Sequence, residues 1–183
     1  MRIITGTLKG RRISVPPGAT TVRPTSDRIK ESIFSVIDVR KHISGSRVLD
    51  LFAGSGNLGF EAVSRGAEHV IYVESSREAV DHIDATANMF GVADKMHGIC
   101  TTVEQYLHET PQPFDLVFSD PPYDYEGLES MPDTILENGW LKDDGWLILE
   151  HDKSHRFGEH PNCVFSKPYG RTIVTIFARH PVP

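Results

Sequence analysis

The sequence predicts an α/β fold in one main domain, an open and mostly parallel sheet of seven strands with helices on both faces. Three observations predict it. From about residue 46, apolar runs alternate with amphipathic stretches in a repeated strand, turn, helix order, which suits crossover-linked parallel strands. The apolar runs are continuous rather than alternating, as strands buried on both faces require. The last segment, "NCVFSKPYGRTIVTIFAR", holds two strand-like runs joined by a short turn, so an antiparallel hairpin closes the sheet.

At 183 residues, with 39% hydrophobic and 24% charged side chains, the chain suits one sizeable core and lies outside the disordered and fibrous classes. No apolar run approaches the roughly 18 residues of a membrane helix. The first residues, "MRIITGTLKGRRI", have no continuous apolar stretch and no small-residue cleavage site, so no secretory leader is expected. Cys100 and Cys163 lie far apart without C-x-x-C spacing, which argues against a disulfide framework or zinc site and for a reducing, cytoplasmic setting.

The elements follow in order. Apolar and polar residues alternate around Gly6 and Gly10, so residues 1–22 read as a small basic β-hairpin extension with a stop at Pro16-Pro17-Gly18; residues 23–183 form the main domain. In "RPTSDRIKESIFSVI", Ile29, Ile33, Val36 and Ile37 mark one face of a helix that Thr25 or Ser26 can cap. "RVLDLF", "HVIYVE", "MHGIC", "FDLVFS" and "GWLILEH" are five strands. The helices between them are "NLGFEAVSRGA", "SREAVDHIDATANMFG" (opened by Ser75 or Ser76, closed by Gly91), "VEQYLHE" and "LESMPDTILENGW".

Charge is divided along the chain. Residues 1–47 carry ten basic and three acidic side chains, a balance of +7, while the other 136 residues carry −13, giving the net −6. A local polyanion-binding patch on an acidic body is one reading, and a solvated basic face is the other.

In open parallel sheets, ligands sit at the carboxyl ends of the strands. The first such end is "DLFAGSGNLG", where Gly54 and Gly56 let the backbone turn tightly before a helix start, and Gly59 completes a G-x-G-x-x-G spacing. Glu74 ends the next strand twenty residues after Gly54, where a carboxylate can accept both hydroxyls of a ribose. These features predict a nucleoside-containing cofactor. Asp50 would repel a pyrophosphate and attract a sulfonium or ammonium, which favours S-adenosylmethionine over NAD; a mere turn-capping role for Asp50 is the alternative. "DPPY", Asp120 to Tyr123, ends the fourth strand and faces the same crevice. An aspartate oxygen and a rigid neighbouring carbonyl can grip both hydrogens of a planar amine, Pro121 and Pro122 fix the backbone, and Tyr123 offers a face for base stacking. The spacing of His151, His155 and His160 matches no standard metal site, and no metal is expected.

The blocks "KGRRI", "RPTSDRIKESIFSVI", "VLDLFAGSGNLGFEA", "DPPY" and "KPYGRTIVTIF" span nearly the whole chain. In this order they resemble the RsmD family of bacterial 16S ribosomal RNA guanine-N2 methyltransferases, within the Rossmann-like class I S-adenosylmethionine-dependent methyltransferases. The resemblance implies Asp50, Gly54 and Gly56 at the methionine moiety, Glu74 at the ribose, and Asp120, Pro121, Pro122 and Tyr123 at the target base. It also implies that the N-terminal hairpin contacts RNA. Lys9, Arg11, Arg12, Arg23 and Arg28 are the candidate RNA-binding residues, with the cofactor carboxylate or an ion pair to Glu31 as the alternatives for Arg23 and Arg28. Thr102 stands where many relatives have an acid for the adenine amine, and its hydroxyl can still accept a hydrogen bond. The implied substrate is 16S rRNA or the assembled 30S subunit, and a monomer is expected. An NAD-linked oxidoreductase and a DNA adenine amino methyltransferase are the competing readings; the first leaves "DPPY" unexplained, and the second lacks a target-recognition domain.

Overall fold

The computed structural model of the chain describes residues 1–15 and 27–180. Its elements run α1 (Asp27–Arg40), β1 (Arg47–Leu51), α2 (Asn57–Ser64), β2 (His69–Glu74), α3 (Arg77–Phe90), β3 (Met96–Cys100), α4 (Val103–Leu107), β4 (Phe114–Ser119), α5 (Met131–Glu137), β5 (Leu141–His151), a 3₁₀ turn (Phe157–Glu159), β6 (Cys163–Tyr169) and β7 (Thr172–Ala178). The seven-stranded sheet has the order β3-β2-β1-β4-β5-β7-β6. The first five strands pair in parallel, and β7 pairs antiparallel with both β5 and β6. Strand order reverses between β1 and β4, so the ligand crevice of such a sheet opens at their carboxyl ends.

The sheet separates two apolar clusters. Val48, Val70, Leu116 and Ile148 meet α1, α2 and α3 on one face, and Leu49, Val73, Val117 and Leu147 meet α4 and α5 on the other. Local chemistry fixes the helix ends: Ser76 accepts the Ala79 N–H at the start of α3, and left-handed Gly91 closes it. Two expectations shift. Helix α5 starts at Met131 rather than near Leu128, because Pro132 lacks an N–H and fits only a first turn. Strand β5 begins four residues before Gly145, through a register irregularity opposite Phe114 and Leu116.

The face that α1 buries also differs from the apolar stripe. Lys30, Ile33, Phe34 and Ile37 are buried, whereas Ile29 and Val36 are only partly covered. The reason is Glu61 on α2, whose Oε2 lies 3.3 Å from the Lys30 ammonium, both side chains fully buried. Lys30 also donates to the Arg2 carbonyl at 2.7 Å and Asn57 Oδ1 at 2.8 Å. Burial pulls the Lys30 pKa down from the ordinary lysine range, and Glu61 opposes the fall.

Residues 1–13 fold back on themselves around one antiparallel bridge, Arg2 to Arg12. The Ile3 N–H donates to the Arg11 carbonyl at 2.9 Å, and the Ile13 N–H to the Met1 carbonyl at 3.0 Å. This hairpin shares the core of the main domain through Ile3, Leu8 and Ile13. Its outer backbone is held by α2: the Ile4 and Thr5 N–H groups donate to the Glu61 carboxylate at 2.8 and 3.1 Å, and the Thr7 N–H to the Ser64 carbonyl at 2.8 Å. Gly6 approaches so closely that a Cβ there would lie 1.7 Å from the Ser64 oxygen. With the sheet on one side and the hairpin on the other, all eight residues of α2 are buried.

Replacing Lys30 with Met leaves Glu61 buried without its ammonium partner. The expected cost is about 3–5 kcal/mol of unfolding free energy, seen as a lower urea midpoint at unchanged slope.

Candidate active site

Register brings the predicted carboxylates together. Leu51, Val73, Ser119 and Leu149 lie in one row across β2, β1, β4 and β5. The next residues, Phe52, Glu74, Asp120 and Glu150, rim the crevice. Side-chain alternation turns Asp50, Glu74 and Asp120 to the face that carries α1, α2 and α3. Asp50 lies within β1 rather than in the following turn, is 2% exposed, and accepts the Gly59 N–H on Oδ2 at 3.0 Å. Burial foremost, then the charges of Asp120 and Glu74, push its carboxyl up to about 8 against that hydrogen bond.

The loop between β1 and α2 is set by three left-handed residues, Phe52 (φ 57°), Gly54 (φ 56°) and Gly56 (φ 73°). Phe52 is the one non-glycine residue at positive φ among the described residues, a conformation that costs about 1–2 kcal/mol. Its ring packs edge-on against Tyr125 at 4.9 Å, joining the loop to the segment after β4. Glu74 clasps the loop from β2: Oε2 accepts the Gly54 N–H at 2.9 Å, and Oε1 accepts the Ser76 N–H at 2.9 Å.

The segment Asp120–Tyr123 emerges on the same rim. Pro121 is buried, Tyr123 is 57% exposed, and a turn bonds the Tyr125 N–H to the Pro122 carbonyl at 3.0 Å. The Pro121 carbonyl accepts no hydrogen bond from the described residues. Thr102, at the foot of α4, accepts the Gln105 N–H at 3.3 Å as an N-cap. The hydroxyls of Thr102 and Tyr125 also reach Glu104, a carboxylate that the sequence pattern did not single out. Burial works against the Glu104 charge, but its own N–H and these two hydroxyls outweigh it and hold the carboxyl below its usual range. Glu104 lines a groove of about 340 Å³ with Leu107, Tyr125 and Met131. The signal was an acid two residues past the expected position.

The structure separates the candidate RNA-binding residues. Helix α2 runs from the crevice at Asn57 to Ser64 at the far end, and hairpin residues 5–8 bind Ser64. Lys9 follows them there, and the Arg11 guanidinium lies 5.1 Å from the ring of Phe90, the last residue of α3. Both therefore sit away from the crevice. Arg12, bridged to Arg2, and Arg28, in the first turn of α1, are exposed near the rim. Arg23 lies outside the described residues. His151 bonds the Thr175 hydroxyl, His151 and His155 both pack against the Phe157 ring, and His160 meets Asp133. Among the described residues no helix is long and apolar enough to cross a membrane.

A sheet that reverses order at β1/β4, with a glycine loop and three converging carboxylates beside an Asp-Pro-Pro-Tyr segment, defines a class of nucleoside-cofactor enzymes. The chain belongs to the family described as Conserved hypothetical protein 95, the RsmD family, whose pattern matches residues 1–178. It is 35% identical to "Putative rRNA methyltransferase YlbH" of Bacillus subtilis over 98% of this chain and 99% of that protein. It is 33% identical to "Ribosomal RNA small subunit methyltransferase D" of Haemophilus influenzae over 84% of this chain and 79% of that one. Among solved structures, "Putative methyltransferase yhhF" of Escherichia coli superposes with a TM-score of 0.84 at 29% identity, covering 97% of this chain and 96% of that one.

Asp50 keeps its proton in the native state up to about pH 8, whereas an ordinary aspartate releases it near 3.8. Between these values the folded chain holds more protons than the unfolded chain, so stability falls as pH rises and then levels off. Thermal midpoints measured across this window should decline in the wild type, and decline less in Asp50→Asn.

Proposed function

We propose that the chain is an S-adenosylmethionine-dependent rRNA methyltransferase that modifies the exocyclic 2-amino group of a guanine in the small-subunit RNA. The observation that carries this reading is the shared rim: Asp120, the open Pro121 carbonyl and exposed Tyr123 stand on the strand next to the glycine loop, over Asp50. The family and the names of its relatives support RNA as the substrate.

The site suits a cationic cofactor. Asp50 is protonated only because burial and two neighbouring carboxylates make its charge unfavourable, and a sulfonium or ammonium would relieve that repulsion where a pyrophosphate would add to it. When bound, S-adenosylmethionine supplies a methyl group on an electrophilic sulfonium. Gly54 and Gly56 would let the backbone lie against its methionine part, and Glu74 would accept the ribose hydroxyls after giving up the Gly54 N–H. Glu104 or Thr102 would face the adenine amine.

The remaining chemistry is positioning. A guanine amine is a weak nucleophile because its lone pair is delocalised into the ring. Asp120 and the Pro121 carbonyl accept its two hydrogens and favour a pyramidal nitrogen with its lone pair in line with the S–CH₃ bond. As the N–C bond forms and the S–C bond breaks, the nitrogen gains positive charge. Its proton then leaves, so Asp120 need not be a strong base. Tyr123 stacks on the base, which must come from a loop or be turned out of its stack to reach the crevice.

Incubation with labelled cofactor and 30S particles from cells lacking the endogenous activity, followed by nucleoside mass analysis, should yield N2-methylguanosine; label on adenine, or none, would overturn the reading. Asp120→Ala and Tyr123→Ala should each bind S-adenosylhomocysteine as the wild type does in calorimetry. Each should also lose transfer by roughly 100-fold or more.

A further inference from the structure

One block of the sequence, "KPYGR", has no part in the site described above. It is the tip of the β6–β7 hairpin, with Gly170 and Arg171 joining Tyr169 to its partner Thr172. Its height follows from the register. Ser119 pairs with Leu149, Leu149 with Thr175, and Thr175 with Ser166, so these residues share a row. Lys167 stands one row higher, level with Glu150, and Tyr169 stands three rows higher, about 10 Å above Ser119. The tip therefore rises above the rim on the side of Asp120, three strand spacings or roughly 14 Å across the sheet.

The tip is anchored rather than loose. The Tyr169 hydroxyl bonds the Ser32 hydroxyl on α1, and the Tyr169 ring packs against the core. Lys167 lies 5.4 Å from the centre of that ring. Arg28 is four residues before Ser32, hence one turn along the same face of α1 toward the rim. Arg28, Lys167 and Arg171 are all exposed, and none has a carboxylate partner among the described residues. By contrast Arg2, Lys41, Lys142 and Arg179 are each paired with an aspartate. Lysine and proline on an edge strand also discourage pairing with another sheet, which accounts for Lys167 and Pro168. It does not account for Arg171, beyond the last pair, or for Arg28 on a helix.

We infer that Arg28, Lys167 and Arg171 form a phosphate-binding surface that holds the ribose-phosphate backbone of RNA flanking the target nucleotide. This rests on the reading of the substrate as RNA. On a chain of net charge −6, three unpaired cations on an anchored ledge above the catalytic rim complement a polyanion entering that side. Lys9 and Arg11, at the far end of α2 and α3, cannot serve the same stretch of backbone.

The test uses fluorescence anisotropy with a single-stranded twenty-uridine RNA across a salt series, for the wild type, Lys167→Ala/Arg171→Ala, and the charge-preserving Lys167→Arg/Arg171→Lys. Neutralising two phosphate contacts should flatten the plot of log affinity against log salt by about 1.4. The charge-preserving pair should keep the wild-type slope. With 30S particles, KM for the alanine pair should rise about tenfold at unchanged kcat, and S-adenosylhomocysteine affinity should not change, which shows an intact fold. An unchanged slope in the alanine pair overturns this surface and leaves the proposed reaction standing. A wild type that binds the uridine RNA with the expected slope difference yet methylates no rRNA overturns the reaction and leaves the surface standing. A wild type with no salt-dependent RNA binding overturns both.

Discussion

The arrangement depends on one buried carboxylate. Glu61 receives four groups from three parts of the chain: two backbone N–H groups of the N-terminal hairpin, the Lys30 ammonium of α1, and, at 2.9 Å, Nε of Arg65, the residue that caps the end of its own helix. A glutamate this deep is tolerable only when its oxygens are fully bonded, so the hairpin and α1 must both dock for α2 to be buried. Helix α2 in turn begins at the glycine loop and supplies the Gly59 N–H that Asp50 accepts. The same contact that closes the core thus sets the floor of the crevice.

Above that floor the sheet does the remaining alignment. Parallel strands in register end at one level, so residues distant in sequence, Phe52, Glu74 and Asp120, become lateral neighbours at strand spacing. Two bonds brace the loop against this rim: Glu74 from β2, and the Phe52–Tyr125 ring contact from the segment after β4. The left-handed Phe52 is held by its ring contact with Tyr125 and by packing against the core cluster beneath it, which is how a strained residue persists at a site of this kind.

Much of this could be read from the chain alone, because the relevant signals are local. Continuous apolar runs marked β1, β2 and β4, glycines marked the turn, and the acid at the end of β2 marked its partner. What could not be read depends on long-range partners. Lys30 looked like one more surface cation, since nothing nearby announces that Glu61, thirty-one residues later, will draw it into the core. The basic count of residues 1–47 included it, and included Lys9 and Arg11, whose distance from the crevice follows only from the direction in which the hairpin docks on α2. The sequence offers Thr102 as a weaker, hydroxyl contact for an adenine amine, but its use as a helix cap, and the nearness of Glu104, needed the start of α4 to be fixed.

The proton on Asp50 bears on a different problem, that of unwanted occupants. A hollow walled by three ionised carboxylates would hold magnesium or another hard cation of the kind that accompanies every nucleic acid. A carboxyl that stays neutral until a suitable organic cation arrives presents a weaker field to such ions. On the proposed reading of the substrate as RNA, the crevice would then resist filling by the counterions of that RNA, and its selectivity would begin before any contact with the cofactor is made.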